Sequence, residues 1–305
     1  MKKNRRFLRP FFLLLLLLLS LAPVSAGEAI TYVKDRLAPV FREPSEHSEQ
    51  VTQVLMGDSV NVLRVRGGWA EVVVPQQYRT SSGYPGWVQM RHLVKSYSPD
   101  TGYVTVAYPL IHLREKPAAD SESMVTAYLS TRLPLADRPA VAGWVAVRLP
   151  WSDEVLWARE NQVKTEFALS RGQGKTIADR ARLFKGTPYL WGGMSEQGID
   201  CSGLVYTVYR LHGITVPRDA DQQALVGEKV SKEQLEPGDM VFFGKSSDDI
   251  THVGLYAGDG KIVHASSGVG VTESRLFQGW YLQHYQGARR ILFDQPDPKV
   301  TLVPR

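Results

Sequence analysis

A repeat in the first half of the chain most restricts what it can fold into. One segment reads Phe41-Arg42-Glu43-Pro44, Val54-Leu55-Met56-Gly57-Asp58, Gly68-Trp69-Ala70-Glu71-Val72 and Gly86-Trp87-Val88. The second reads Leu113-Arg114-Glu115-Lys116-Pro117, Val125-Thr126-Ala127-Tyr128, Gly143-Trp144-Val145-Ala146-Val147 and Leu156-Trp157-Ala158. Trp69 and Trp144 lie 75 residues apart and Trp87 and Trp157 lie 70 apart, so the units match with unequal loops. Short runs of Val, Thr, Trp and Leu with period-two alternation, cut by Gly, Pro and Asp, predict two small all-β units. Most of the tryptophans are expected to fill cores that are small for the residues they must order. Exported proteins built of small domains are often stapled by disulfides. Cys201 is the single cysteine, so no bridge can form within this chain.

The formal charge of +5, from 36 Lys and Arg against 31 Asp and Glu, invites a polyanion-binding reading. Five of those bases, Lys2, Lys3, Arg5, Arg6 and Arg9, fall in the first 26 residues, which hold no acid. The remainder carries 31 bases and 31 acids, and no nucleic-acid partner is expected. The five charges precede an apolar run from Phe11 to Leu21 and then Val24-Ser25-Ala26, the layout of a cleaved secretory signal peptide over residues 1–26. The run of 11 residues is short of the roughly 20 that span a bilayer, so no integral span is expected in the mature chain. The expected location is the cell envelope, periplasmic or extracellular.

From Phe167 the pattern changes. Ile177, Ala178, Ala181 and Phe184 recur at helical spacing over Thr176 to Phe184, and Gly186-Thr187-Pro188 ends that helix. Leu204, Val205, Val208 and Leu211 mark one face of a second helix, closed by Gly213. Met240 to Phe243, His252 to Ala257 and Lys261 to Ala265 read as strands. Helices first and strands after predict an α+β domain over 172–293. Residues 294–305 read as a loose tail.

Cys201 falls at the first turn of the second helix with Asp200 placed to cap it. Open N–H groups and the positive dipole end there favour a thiolate nucleophile. Ser202-Gly203 behind it are expected to leave room for a substrate carbonyl. Of the seven histidines, His252 and His264 flank the hairpin centred on Gly258-Asp259-Gly260. A three-residue loop pairs Ala257 with Lys261, sets His252 opposite Ser266 and puts both imidazoles on one face, a diagonal step apart. A two-residue Asp259-Gly260 turn puts them on opposite faces. The three-residue loop is the expectation, with His252 as the base that serves the thiol. A zinc reading of Cys, His and His is set aside, because separations of 51 and 12 residues match no short ligand spacing.

Pro188-Tyr189-Leu190-Trp191-Gly192-Gly193, Asp200-Cys201-Ser202-Gly203, His252-Val253-Gly254 and His264 together resemble the NlpC/p60 cysteine peptidases, which have a papain-like fold. The repeats, over 29–97 and 103–165, resemble bacterial SH3 domains. Two all-β bacterial SH3-like barrels ahead of such an α+β domain make the multi-domain chain similar to the γ-D-glutamyl-L-diamino acid endopeptidases of that family. The resemblance implies enzymes that act on peptidoglycan or murein peptides with a free N-terminal L-Ala and release L-Ala-γ-D-Glu; for this chain no cofactor and a monomer are expected. It implies attack by Cys201, acid and base work by His252, orientation by His264, and oxyanion donation by the Cys201 N–H and the Tyr189 hydroxyl. It places Asp200, Ser202, Arg218 and Asp219 along the peptide pocket, with a carboxylate near the substrate amine and an arginine near the α-carboxylate of D-Glu. Tyr84 matches the tyrosine by which the first SH3 domain closes the site. The glutamate expected just before Thr52-Gln53 is replaced by Val51, which leaves Glu49 as the nearest carboxylate. Alternative functions are a wall-binding protein with an inert peptidase domain, and an amidase or acyltransferase on the same scaffold.

Overall fold

A computed structural model of the chain describes residues 30–95, 102–164, 174–291 and 301–302. The expected signal peptide lies outside the described residues. In the first β unit, Leu37–Phe41 pairs with Gln50–Leu55 on one side and with Tyr84–Gln89 on the other. Ile30–Val33 pairs with Ser59–Arg66 and with Leu93–Val94. Val40, Val54, Val72 and Val88 meet inside, the inward half of each alternating strand.

The second unit repeats that pairing. Leu110–Arg114 lies between Ser123–Tyr128 and Val155–Arg159, and Tyr103–Val106 lies between Arg132–Pro134 and Val163–Lys164. In each unit a short 3-10 turn, Met90–His92 or Glu160–Gln162, leads into the last strand. The tryptophans behave unequally: Trp87, Trp144 and Trp157 are buried, whereas Trp69 is only half-buried and packs edge-on against Phe41 at 5.6 Å.

The last unit sets helices α1 (Gly174–Arg182) and α2 (Cys201–Leu211) against a six-stranded antiparallel sheet. Its order is Glu228–Val230, Tyr285–Arg290, Met240–Ser246, Asp249–Gly258, Lys261–Ser266 and Gly270–Arg275. Two short helices, α3 (Ala220–Gln223) and α4 (Gly279–Gln283), flank the sheet. Helix α2 departs from its expected single apolar face, because all of its residues are buried. Its far side is covered by the β units: the Arg210 guanidinium meets Asp58 of the first in a bidentate pair, with Nη1 to Oδ2 at 2.7 Å. Ser130 of the second donates to the Thr207 carbonyl at 2.7 Å. The tail is not wholly loose, since Thr301–Leu302 pairs antiparallel with Ile214–Thr215. Among the described residues no helix is long and apolar enough to cross a membrane.

Candidate active site

Asp200 starts α2 in extended conformation, and its Oδ1 accepts from the Gly203 N–H at 2.6 Å. That cap places Cys201, 7% exposed, at the first turn of the helix. A Cβ at residue 203 would come within 2.3 Å of the Gly193 carbonyl and 2.9 Å of Asp200 Oδ1. The glycine of the Asp-Cys-Ser-Gly run therefore serves the seating of the helix rather than substrate approach.

The hairpin beside it differs from both sequence alternatives. Asp259 and Gly260, with φ of 52° and 65°, form a two-residue turn, and Gly258 pairs with Lys261. One step on, however, Tyr256 pairs with Ile262 and Leu255 with Val263, which leaves Ala257 as a bulge. The extra residue shifts the register by one and restores the pairing expected of the three-residue loop. His252 and His264 thus share a face, with His252 Nε2 and His264 Nδ1 3.0 Å apart. His264 is fully buried, and its Nε2 meets Ser274 Oγ at 3.0 Å and the Tyr281 hydroxyl at 3.2 Å. Phe243 and Trp280 pack against His252 at 5.7 and 6.3 Å between ring centroids.

The surroundings of Cys201 favour the thiol over the expected resting thiolate. Burial and then the Asp200 carboxylate push the Cys201 thiol up to about 12, against hydrogen bonds from the main chain of Val253 and Ser202. Burial, with His264 next, lowers His252 to about 3, and burial lowers His264 to about 4. Each of these shifts favours the neutral form of its group, the thiol for Cys201 and the uncharged imidazole for His252 and His264. Tyr189 lines the same cleft; burial first, then Cys201, raises its hydroxyl above the ordinary tyrosine range, so it stays a protonated donor.

The cleft over Cys201 has a volume of about 770 Å³, and residues of the first β unit, including Glu49, Val51 and Tyr84, share its lining with residues of the last unit. The Tyr84 hydroxyl donates to Asp219 Oδ2 at 3.1 Å. Glu49 takes Arg42 at 2.6 Å and the Trp191 indole N–H at 3.0 Å, while Val51 carries no charge to hold an amine. Burial raises the Asp219 carboxyl above its ordinary range in spite of Arg218 and Arg79.

Arg218 does not occupy the place expected of it. It is 1% exposed and does not line the cleft. Its Nε donates to Thr52 Oγ1, Nη1 to Asp200 Oδ1 and Ser202 Oγ, and Nη2 to Asp200 Oδ2 and the Gly193 carbonyl. All five of its N–H groups are spent on holding the start of α2. Asp200 and Ser202 border the cleft but face Arg218 with their polar atoms.

Several residues that build the site had no local signal in the sequence. Gln53 Oε1 accepts from the Met194 N–H at 2.8 Å, Gln50 Nε2 donates to the Trp191 carbonyl at 2.8 Å, and Thr52 bridges to Arg218. Gly192, at φ +71°, lies so close to this strand that a Cβ would meet the Gln50 carbonyl at 2.8 Å. Each partner is more than 100 residues away, so only the folded chain shows the pairing. Among the described residues no group of three or more His, Cys, Asp or Glu gathers as metal ligands would.

Comparison with known proteins gives this arrangement a relationship. Residues 186–290 match the NlpC/P60 family, and residues 40–93 match the bacterial dipeptidyl-peptidase Sh3 domain. A γ-D-glutamyl-L-lysine dipeptidyl-peptidase of Bacillus cereus is 34% identical over 79% of this chain and 75% of its own length. One of the same name from Bacillus subtilis is 33% identical over 70% and 71%. The crystal structure of an NlpC/P60 family protein from Bacillus cereus superposes with a TM-score of 0.76 at 27% identity, covering 87% of this chain and all of that one. With a thiol at a helix start, a hydrogen-bonded histidine pair on the strands that follow and relatives across most of its length, the chain belongs to the NlpC/P60 family and is a cysteine peptidase with an N-terminal bacterial SH3 domain.

Proposed function

We propose that the chain hydrolyses the bond between γ-D-Glu and the diamino acid in peptidoglycan stem peptides whose N-terminal L-Ala carries a free amine. The observation that carries this reading is the lining of the cleft that holds Cys201, where Glu49 and the Tyr84–Asp219 pair present acidic groups. A partly buried carboxylate whose proton affinity is raised by desolvation gains most from a cation. An ammonium is such a cation. The relatives named as γ-D-glutamyl-L-lysine dipeptidyl-peptidases support the same bond type.

In this reading Cys201 Sγ attacks the γ-carbonyl as its proton passes to His252. Because His252 Nε2 faces His264, Nδ1 is the ring nitrogen that takes the proton, and Nε2–H donates to His264 Nδ1. His264 in turn is held by Ser274 and Tyr281. The Cys201 N–H and the Tyr189 hydroxyl donate to the oxyanion, where losing one donor costs about 100- to 1000-fold in turnover. The imidazolium then gives its proton to the departing amine, and a water activated by His252 releases the dipeptide from sulfur. The second β unit, with its matching strand pairing, is read as a second SH3-like barrel, giving barrels over 29–97 and 103–165 and a papain-like domain over 172–293. The secretory pattern of residues 1–26 fits an enzyme of the envelope or exterior.

Incubating the protein with L-Ala-γ-D-Glu-L-Lys or its diaminopimelate counterpart is expected to release L-Ala-γ-D-Glu, and Cys201→Ala is expected to release none. The N-acetylated peptide is expected to be cleaved at least 100-fold less efficiently, because acetylation removes a charge that the carboxylates would pair. Equal cleavage of free and acetylated peptides would overturn the assignment of these carboxylates as an amine pocket.

A further inference from the structure

Arg218, the arginine that the family resemblance put near the D-Glu α-carboxylate, has no N–H left to offer. A substrate carrying that carboxylate enters a cleft lined by seven carboxylate side chains and two arginines, Arg42 and Arg79. Arg42 closes its fork on Glu49, with Nε at 2.9 Å and Nη2 at 2.6 Å from the same oxygen. Arg79 differs. Its hydrogen bonds to Asp221 and its ion pair with Asp219, all at 3.0 Å, run through Nη1 alone. Among the described residues, Nε and Nη2 make no such contact, and the side chain is 40% exposed on the cleft.

The backbone around Arg79 is held by the catalytic domain: Arg218 N–H donates to the Tyr78 carbonyl at 3.3 Å and Gln222 Nε2 to the Arg79 carbonyl at 2.9 Å. The main chain that carries Arg79 is therefore tied to the catalytic domain, and the ion pairs of Nη1 with Asp219 and Asp221 hold one side of its guanidinium. We propose that Arg79, contributed by the first β unit, reads the α-carboxylate of the D-Glu residue while Asp219 takes the L-Ala ammonium beside it. The two substrate charges are one peptide unit apart, and Arg79 and Asp219 are in contact, so one zwitterionic ligand reaches both. Nη1 stays on the acids, and Nε or Nη2 supplies the charge-assisted hydrogen bond.

This assignment rests on the proposed reaction, and its test separates the two. The full-length protein is assayed with L-Ala-γ-D-Glu-L-Lys and with the analogue whose D-Glu α-carboxylate is an amide. The wild type is expected to favour the acid, and Arg79→Gln to lower the acid-to-amide ratio of kcat/KM by roughly 10- to 100-fold. Arg79→Lys, which keeps the charge and loses the fork, is expected to retain part of the preference. Arg42→Gln is expected to leave the ratio in place. Using a ratio removes any general loss from unpairing Asp219 or from partial unfolding, since both substrates meet the same protein. A ratio unchanged in Arg79→Gln, or a wild type without preference, overturns the role of Arg79 while the reaction stands. Cleavage of neither peptide by the wild type removes the reaction itself and this assignment with it.

Discussion

Burial, and after it the Asp200 carboxylate, offset the electrostatic advantage that a helix start would otherwise give Cys201. That carboxylate also occupies the Gly203 N–H of the first turn. Both the raised thiol and the lowered His252 favour the proton on sulfur over a resting thiolate–imidazolium pair. A raised thiol pKa means that the thiolate fraction grows about tenfold per pH unit throughout the neutral and alkaline range. Alkylation of the ligand-free protein by iodoacetamide is therefore expected to be slow at pH 7 and to climb through pH 10 without levelling. A plateau with a midpoint below pH 7 would show a resting thiolate–imidazolium pair instead. The helix-start position of Cys201 and the pairing of His252 with His264 were legible in the sequence, because a cap residue and even spacing across a hairpin are local signals. Arg218 was misplaced for the opposite reason: an arginine beside an aspartate reads alike whether it is a strut or a ligand-binding group, and only burial tells them apart.

At the scale of elements, the start of α2 and the His252–His264 hairpin carry the site. Helix α2 was legible from Leu204, Val205, Val208 and Leu211, but its buried polar side was not, because Thr207 and Arg210 look solvent-facing until two other units cover them. The hairpin register was legible in its result and not in its cause, since nothing local distinguishes a bulge at Ala257 from a longer loop. The helix start invites a stability test. Arg218 and Asp200 are both buried, so a lone Arg218 keeps its desolvation cost without its counter-charge. Asp200→Asn is expected to destabilise the protein by about 3–5 kcal/mol, the usual cost of breaking a buried ion pair from one side. Adding Arg218→Met is expected to recover part of that loss, as urea unfolding would show; a double variant less stable than Asp200→Asn would mean that Arg218 works through contacts other than Asp200.

For the whole molecule, the three units share their interiors rather than hanging on linkers. Met56 of the first unit joins the core of the second, and Ala107 and Leu129 of the second join the core of the catalytic unit. Thr52, Gln53 and Asp58 carry polar ties from the first unit into the third. A peptidase tethered to independent wall-binding modules would unfold module by module, whereas shared cores couple the units into one cooperative step. Calorimetry of the full chain is accordingly expected to show a single endotherm. Asp58→Asn then provides the decisive comparison, because Arg210 is buried on α2 while Asp58 belongs to a β unit. Leaving Arg210 unpaired is expected to cost about 3–5 kcal/mol and, in a coupled molecule, to lower the whole endotherm without splitting it. An early, separate transition for the first unit, with cleavage activity persisting above it, would show that the catalytic unit holds its site unaided.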